Sequence, residues 1–142
     1  MANLFSVKDK VVVMTGAAGI LGRTISSYLA GEGAKMVILD RNEEAGNELV
    51  NNIKAAGNEA IFLYTDVLNK EVLLQNKKDI IAKYGHIDVL LNAAGGNMAG
   101  ATIPPEKTIF DLDVEDFRKV VDLNLFGTVL PTMVFMNEIG RA

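Results

Sequence analysis

Short apolar runs alternate along the chain with segments whose apolar residues recur every three or four positions. The apolar runs are continuous, which is typical of parallel strands buried on both faces. The segments between them have helical spacing and end at glycine. This alternation predicts a doubly wound parallel sheet, an α/β Rossmann fold, with strand order 3-2-1-4 and helices on both faces. The predicted strands are 11–14, 35–39, 60–64 and 87–91, and the predicted helices are 21–31, 43–56, 72–84 and a long apolar one at 114–136.

A glycine-rich turn links the first predicted strand to the first helix. In it, Gly16 allows a tight turn, Gly19 lets backbone approach a pyrophosphate, and Gly22 permits close packing of helix on strand. The N-terminus of the following helix, at Ile20 and Leu21, would face the phosphates. We therefore predict a dinucleotide cradle here, and the alternative is a plain strand–helix turn. The whole predicted cradle is Thr15, Gly16, Gly19, Ile20, Leu21 and Gly22.

An acidic residue, Asp40, stands at the tip of the second predicted strand. Its carboxylate could accept hydrogen bonds from both ribose hydroxyls of an adenosine and would repel the extra phosphate of NADP, which favours NAD. Arg41, in contrast, could grip a 2′-phosphate. Asp40 and Asn42 are equally suited to capping the next helix, and that alternative stays open.

The third and fourth strands end in residues that also suit a nucleotide. Asp66 and Val67 are placed to meet the adenine edge, although an Asp at this position could instead cap a helix. Small residues after the fourth strand would let backbone approach the ribose and nicotinamide, and a simple loop fits nearly as well. These residues are Asn92, Ala93, Ala94 and Gly95.

Composition narrows the classes of function. The 142 residues fit one dinucleotide-binding domain, residues 1–142. Eighteen acidic and fourteen scattered basic residues give a net charge of −4, so no nucleic-acid partner is expected. The chain has no cysteine, no secretory start and no uninterrupted apolar run near the roughly 20 residues of a membrane span. A soluble protein in the cytoplasm, with no membrane segment, is therefore expected.

No metal site is predicted. His86 has no second ligand nearby, so a packing or surface role is favoured. Four acids before and within the start of the long helix would complement its dipole. They are Asp111, Asp113, Glu115 and Asp116.

The motifs together resemble the short-chain dehydrogenase/reductase family. The resemblance implies an NAD-dependent oxidoreductase in which Asn124 belongs to the catalytic proton relay, and a helix at 114–136 that pairs subunits into a homo-oligomer, a dimer or tetramer. Residues 94–97 and 123–132 most resemble bacterial D-mannonate oxidoreductases and gluconate 5-dehydrogenase-like enzymes, which implies a sugar acid or polyol as the small-molecule substrate. The matching segments are 15–22, Asp40, Asp66–Val67, 91–95 and 122–128.

The sequence departs from the family in two ways. The glycine spacing, T-G-x-x-G-x-x-G, is that of longer epimerase-like members, and the active-site serine and Tyr-x-x-x-Lys motif are absent. We therefore expect the N-terminal portion of a longer fold, inactive alone, with a self-associating edge at the fourth strand. Two other functions stay open: a non-catalytic nucleotide-binding and self-association module, and an epimerase or dehydratase that retains its NAD.

Overall fold

The computed structural model describes residues 3–139. Four parallel strands form one sheet in the order β3-β2-β1-β4, with helices on both faces, which confirms the predicted fold class. The elements are β1 Val11–Thr15, α1 Ile20–Gly31, β2 Lys35–Asp40, α2 Glu43–Ala55, β3 Ala60–Tyr64, α3 Lys70–Tyr84, β4 Val89–Asn92, α4 Val114–Val121 and α5 Gly127–Phe135.

Strand β1 is central and fully buried. Its side chains alternate between the two faces of the sheet, so that Val12 and Met14 pack with α1 and α2. Val11 and Val13 pack on the other face with α3 and α5. Burial on both faces explains why the run is continuously apolar.

Among the strands and the first three helices, two element boundaries differ from those predicted by two residues, and the others agree to within one residue. Helix α3 begins at Lys70 rather than 72, because the Asn69 side chain accepts hydrogen bonds from the first-turn N–H groups of Glu71 and Val72 at 3.1 and 3.2 Å. Strand β4 begins at Val89 rather than 87. Ile87 instead forms an isolated parallel bridge with Ile139.

The long helix has the predicted extent but an irregular interior. A π-helical segment, Asp122–Phe126, separates α4 from α5, and the helical stretch continues to Glu138. Its 25 residues include an 18-residue window of mean hydropathy 1.3, so by length and composition alone it could cross a membrane. The sequence nevertheless has no uninterrupted apolar run of that length, because charged residues interrupt the first turns of the helix. In the fold, the Val134 and Phe135 side chains of this helix are buried against the sheet.

Candidate functional site

A cavity of about 570 Å³ opens at the carboxyl ends of the strands, where the chain order reverses between β1 and β4. In doubly wound sheets this crevice is where ligands bind. Three of its lining residues, Ile25, Thr65 and Leu123, were not predicted from the sequence. The remaining lining residues are Gly16, Gly19, Ile20, Leu21, Gly22, Asp40, Arg41, Val67, Ala93, Ala94 and Gly95.

The glycine turn is packed so tightly that two of its glycines leave no room for a side chain. Gly16 has a φ of 63°, and a Cβ there would lie 2.7 Å from the Cα of Ala94. A Cβ on Gly22 would lie 2.7 Å from the backbone oxygen of Ala17 and closer still to that of Gly16. Gly19 is less crowded than these two, because its φ of −68° is open to any residue and a Cβ there would lie 3.2 Å from the oxygen of Gly16. The turn therefore holds its shape through contacts between backbone atoms.

Helix α1 begins without a side-chain cap. Gly19 occupies the N-cap position, no acidic residue stands in the first turn, and the first intrahelical bond is from Arg23 N–H to Gly19 O at 2.9 Å. Asn42, Asn69 and Asp113, in contrast, cap α2, α3 and α4. The first-turn N–H groups of α1 and the positive end of its dipole face the cavity, which is an arrangement that suits a pyrophosphate.

Asp40 fixes two backbone segments at the edge of the cavity. Its Oδ2 accepts a hydrogen bond from Ala18 N–H and its Oδ1 accepts one from Asn42 N–H, both at 3.0 Å. The N-cap of α2 is Asn42, which accepts from Ala45 N–H at 3.0 Å. The cap alternative for Asp40 is thus excluded by the geometry. Carboxylate oxygens have about four acceptor sites, so Asp40 can also accept from ribose hydroxyls.

Asp66 is not one of the residues that line the cavity. Its Oδ1 accepts from Leu68 N–H at 3.0 Å, and Asn69, not Asp66, caps α3. Val67 is buried and lines the cavity, as does Thr65 immediately before Asp66. Val67 thus lines the cavity and Asp66 is its neighbour in the chain, and the contact of both residues with an adenine stays a prediction.

Thr15 and Asn92 support the opposite wall from outside the cavity. The buried Thr15 hydroxyl accepts hydrogen bonds from the N–H groups of Ala93 and Ala94, both at 3.2 Å. Asn92 Nδ2 donates to the Thr132 hydroxyl at 3.0 Å. These bonds hold the loop after β4 against the glycine turn.

Asn124 lies in the π-helical segment and clamps the same loop. Its Oδ1 accepts from Gly96 N–H at 3.2 Å, and its Nδ2 donates to Gly96 O at 2.7 Å and to Val120 O at 2.8 Å. A Cβ on Gly95 would lie 2.7 Å from this Oδ1, so the clamp depends on glycine at that position. Asn124 is thus positioned beside the cavity, and its relay role stays a prediction.

The other residues considered as ligands have structural partners. Asp113 caps α4, and Asp116 pairs with Lys119 at 2.9 Å, a hydrogen bond that lowers the pKa of Asp116. His86 Nε2 lies 3.0 Å from Asp88 Oδ2. Within residues 3–139, no three His, Cys, Asp or Glu side chains come together as a metal site would require.

A parallel sheet with this reversal of strand order, and an uncapped helix at the reversal, defines an α/β protein of the Rossmann class. A sequence profile of the short chain dehydrogenase family matches residues 10–141, and the chain belongs to that family.

Similar proteins extend the comparison. The Bacillus subtilis uncharacterized oxidoreductase UxuB is 36% identical over 145 residues, which cover 96% of this chain and 52% of that protein. A Haemophilus influenzae structure with bound NAD, provisionally named a D-mannonate oxidoreductase, is 33% identical and superimposes with a TM-score of 0.90 over 94% of this chain and 51% of its own. An NAD⁺-bound xylitol dehydrogenase is 29% identical and superimposes with a TM-score of 0.84 over 93% of this chain and 48% of its own. The chain spans about half the length of these proteins.

Proposed function

We propose that this chain is the cofactor-binding portion, residues 1–142, of an NAD-dependent oxidoreductase. The uncapped N-terminus of α1, opening into the cavity beside Asp40, is the observation that carries the proposal. The Gly16–Ala94 contact supports it, because a cradle without side chains lets backbone approach a pyrophosphate. Two NAD-bound structures share the fold over 93–94% of this chain, which also supports the proposal.

The preference for NAD over NADP rests on Asp40. Its carboxylate is held at the rim by Ala18 and Asn42, so it cannot turn away from a ribose 2′ position without breaking both hydrogen bonds. A 2′-phosphate there would meet a fixed negative charge. Arg41 lines the same cavity and offsets part of this repulsion.

The proposed substrate is a sugar acid or related polyol, on the strength of the likeness to the two sugar-related relatives. Bound NAD would supply the hydride acceptor of the reaction. In this chain, Thr15 and Asn124 hold the loop that carries Ala94 and Gly95 beside the cavity. The family's proton transfer needs a tyrosine with a lysine four residues later, a spacing that this sequence lacks, so we expect negligible hydride transfer by this chain alone.

Direct titration tests the proposal. We expect the chain to bind NAD and ADP-ribose, and to bind NAD more tightly than NADP, in isothermal titration calorimetry. Leu21→Glu places a negative charge in the first turn of α1, beside the phosphate position, and should weaken NAD at least about tenfold. The matched control is Tyr28→Glu, because Tyr28 is similarly exposed on the same helix (67% against 77%) but lies outside the cavity. Absence of NAD and ADP-ribose binding at millimolar concentration, or equal weakening by both variants, would refute the proposal.

A second property, self-association through the helix at 114–136, is supported by its exposed apolar side chains. Leu125, Val129, Met133 and Met136 are 40–64% exposed and recur at helical spacing on one side. Apolar patches of this kind mark interfaces between proteins. We propose a homo-oligomer, and Met133→Glu should lower the mass measured by sedimentation equilibrium whereas Tyr28→Glu should not. Equal masses for wild type and Met133→Glu would contradict it.

A further inference from the structure

A buried amide, Asn76, lies on the inner face of α3. The side chain is 6% exposed and stands between Leu73 and Ile80, which are both buried in the core. An amide in such surroundings is unfavourable unless it is hydrogen-bonded. Its contacts therefore show what it stabilises.

Both hydrogen bonds of Asn76 go to the end of β3. Its Nδ2 donates to the Thr65 hydroxyl at 2.8 Å and to the backbone oxygen of Tyr64 at 3.1 Å. Among the residues that the structure describes, β3 is an edge strand that pairs with β2 alone, so few other bonds fix its end. Asn76 thus replaces the neighbouring strand that β3 lacks on this side.

The residue held in this way belongs to the cavity wall. Thr65 is 2% exposed, lines the cavity, and donates from its hydroxyl to Leu63 O and from its N–H to Asp40 O, both at 2.9 Å. Val67, two residues on, lines the cavity as well. A shift of Thr65 would therefore move the wall near Val67 and the backbone that carries Asp40.

We propose that Asn76 is a positioning residue that sets the adenosine end of the cofactor site through Thr65. The proposal rests on the proposed binding of NAD to this cavity. Asn76 does not touch the cavity itself, so its effect must pass through the end of β3. The adenosine end should loosen without it, and the glycine turn should keep its shape.

The test compares Asn76→Leu, which keeps the number and branching of the side-chain heavy atoms and removes both donors, with Gln75→Leu. Gln75 is the exposed amide one residue earlier and bonds Asp79 at 2.9 Å. We expect Asn76→Leu to weaken both NAD and ADP-ribose about fivefold or more, the equivalent of one neutral hydrogen bond, and Gln75→Leu to change neither. In the ligand-free chain, amide hydrogen exchange of residues 64–68 should rise in Asn76→Leu while that of 16–22 stays constant.

A double-mutant cycle separates positioning from general stability. In a Thr65→Val background the same Asn76→Leu change should weaken NAD binding by less than about twofold, because the Thr65 hydroxyl that accepts from Asn76 is already absent. Additive effects, uniform rises in exchange, or unchanged affinity would overturn the proposal. Asn76→Ala is the second variant if leucine does not fit, and failure of both to fold while Gln75→Leu folds would make Asn76 a structural residue only. If the wild type binds no NAD, the proposed function fails, and the exchange measurement still tests whether Asn76 holds β3.

Discussion

Gly22 is the position where a single methyl group should damage the site most. A Cβ there would lie 2.7 Å from the oxygen of Ala17 and closer still to that of Gly16, and real Cβ atoms essentially never approach within 3.0 Å. Both obstacles are backbone atoms of the glycine turn, so Gly22→Ala must displace the turn or the start of α1 by more than 0.3 Å. The side chains nearby cannot absorb this shift.

The expected magnitude combines two opposing effects. Alanine is favoured over glycine in a helix by about 1 kcal/mol, whereas overpacking costs about 1–3 kcal/mol. We expect Gly22→Ala to lower the free energy of unfolding by up to about 2 kcal/mol. It should also weaken NAD binding at least about tenfold, because the displaced N–H groups no longer converge on the pyrophosphate.

Gly31→Ala is the matched control in the same helix. A Cβ at Gly31 meets nothing within 4 Å, so this variant should be as stable as the wild type or more stable by up to about 0.5 kcal/mol, with unchanged NAD affinity. Urea denaturation and calorimetric titration of both variants measure the two effects. Equal stability and equal NAD affinity for Gly22→Ala and Gly31→Ala would refute the reasoning that close backbone packing shapes the site.

Three further predictions concern single side chains. Asp40→Ser should weaken NAD more than NADP in paired titrations, because the charge facing the 2′ position is lost; an unchanged ratio of the two Kd values would contradict this. Partial burial alone would raise the pKa of Asp88, but hydrogen bonds from Val11 N–H and Lys10 lower it below its usual value. A carboxylate whose pKa is lower in the folded state stabilises the fold at pH values above its pKa in the unfolded chain, and this stabilisation is lost as the pH falls. The free energy of unfolding should therefore drop below about pH 4, and it should drop less steeply in Asp88→Asn. Parallel pH profiles of the two proteins would exclude Asp88 as the cause. Burial and the nearby Glu59 carboxylate raise the pKa of the Tyr84 hydroxyl above its usual value, although the hydroxyl makes no hydrogen bond of good geometry within the described part of the chain. Tyr84→Phe should therefore change the free energy of unfolding by less than about 1 kcal/mol, and a larger loss in thermal unfolding would show that the contact with Glu59 stabilises the fold.

The order of the sheet could be predicted because burial on both faces leaves a clear mark on composition. The run at β1, Val11–Thr15, is apolar at every position except its last, and that pattern arises only when both faces are covered. Parallel pairing and the right-handed crossover then leave few possible orders. The cradle could be predicted from the glycines at 16 and 22 for a similar reason, because the tight backbone contacts there leave no room for a side chain.

The sequence could not separate residues that line the cavity from those that support it. Thr15, Asp66 and Asn92 stand at the predicted strand ends but do not line the cavity, and their side chains bond to backbone or to Thr132. Asp40 and Asn42 are both good capping residues, and only the geometry assigns the cap to Asn42. Thr65 belongs to no sequence motif, and its position in the cavity wall follows from tertiary contacts that the sequence does not reveal.

The site divides along the sheet into two halves of unequal completeness. The uncapped helix, Asp40 and the end of β3 all belong to the β1–β3 side, and each is held by hydrogen bonds within this chain. Within residues 3–139, the β4 side contributes Leu123 and the loop clamped by Asn124, and Ile87 there forms an isolated parallel bridge with Ile139. In the proposed function the first half holds the adenosine and pyrophosphate, and the second half needs further groups for chemistry. Affinity for the nucleotide and competence for hydride transfer are therefore expected to be separable properties of this fold, the first encoded in these residues and the second not.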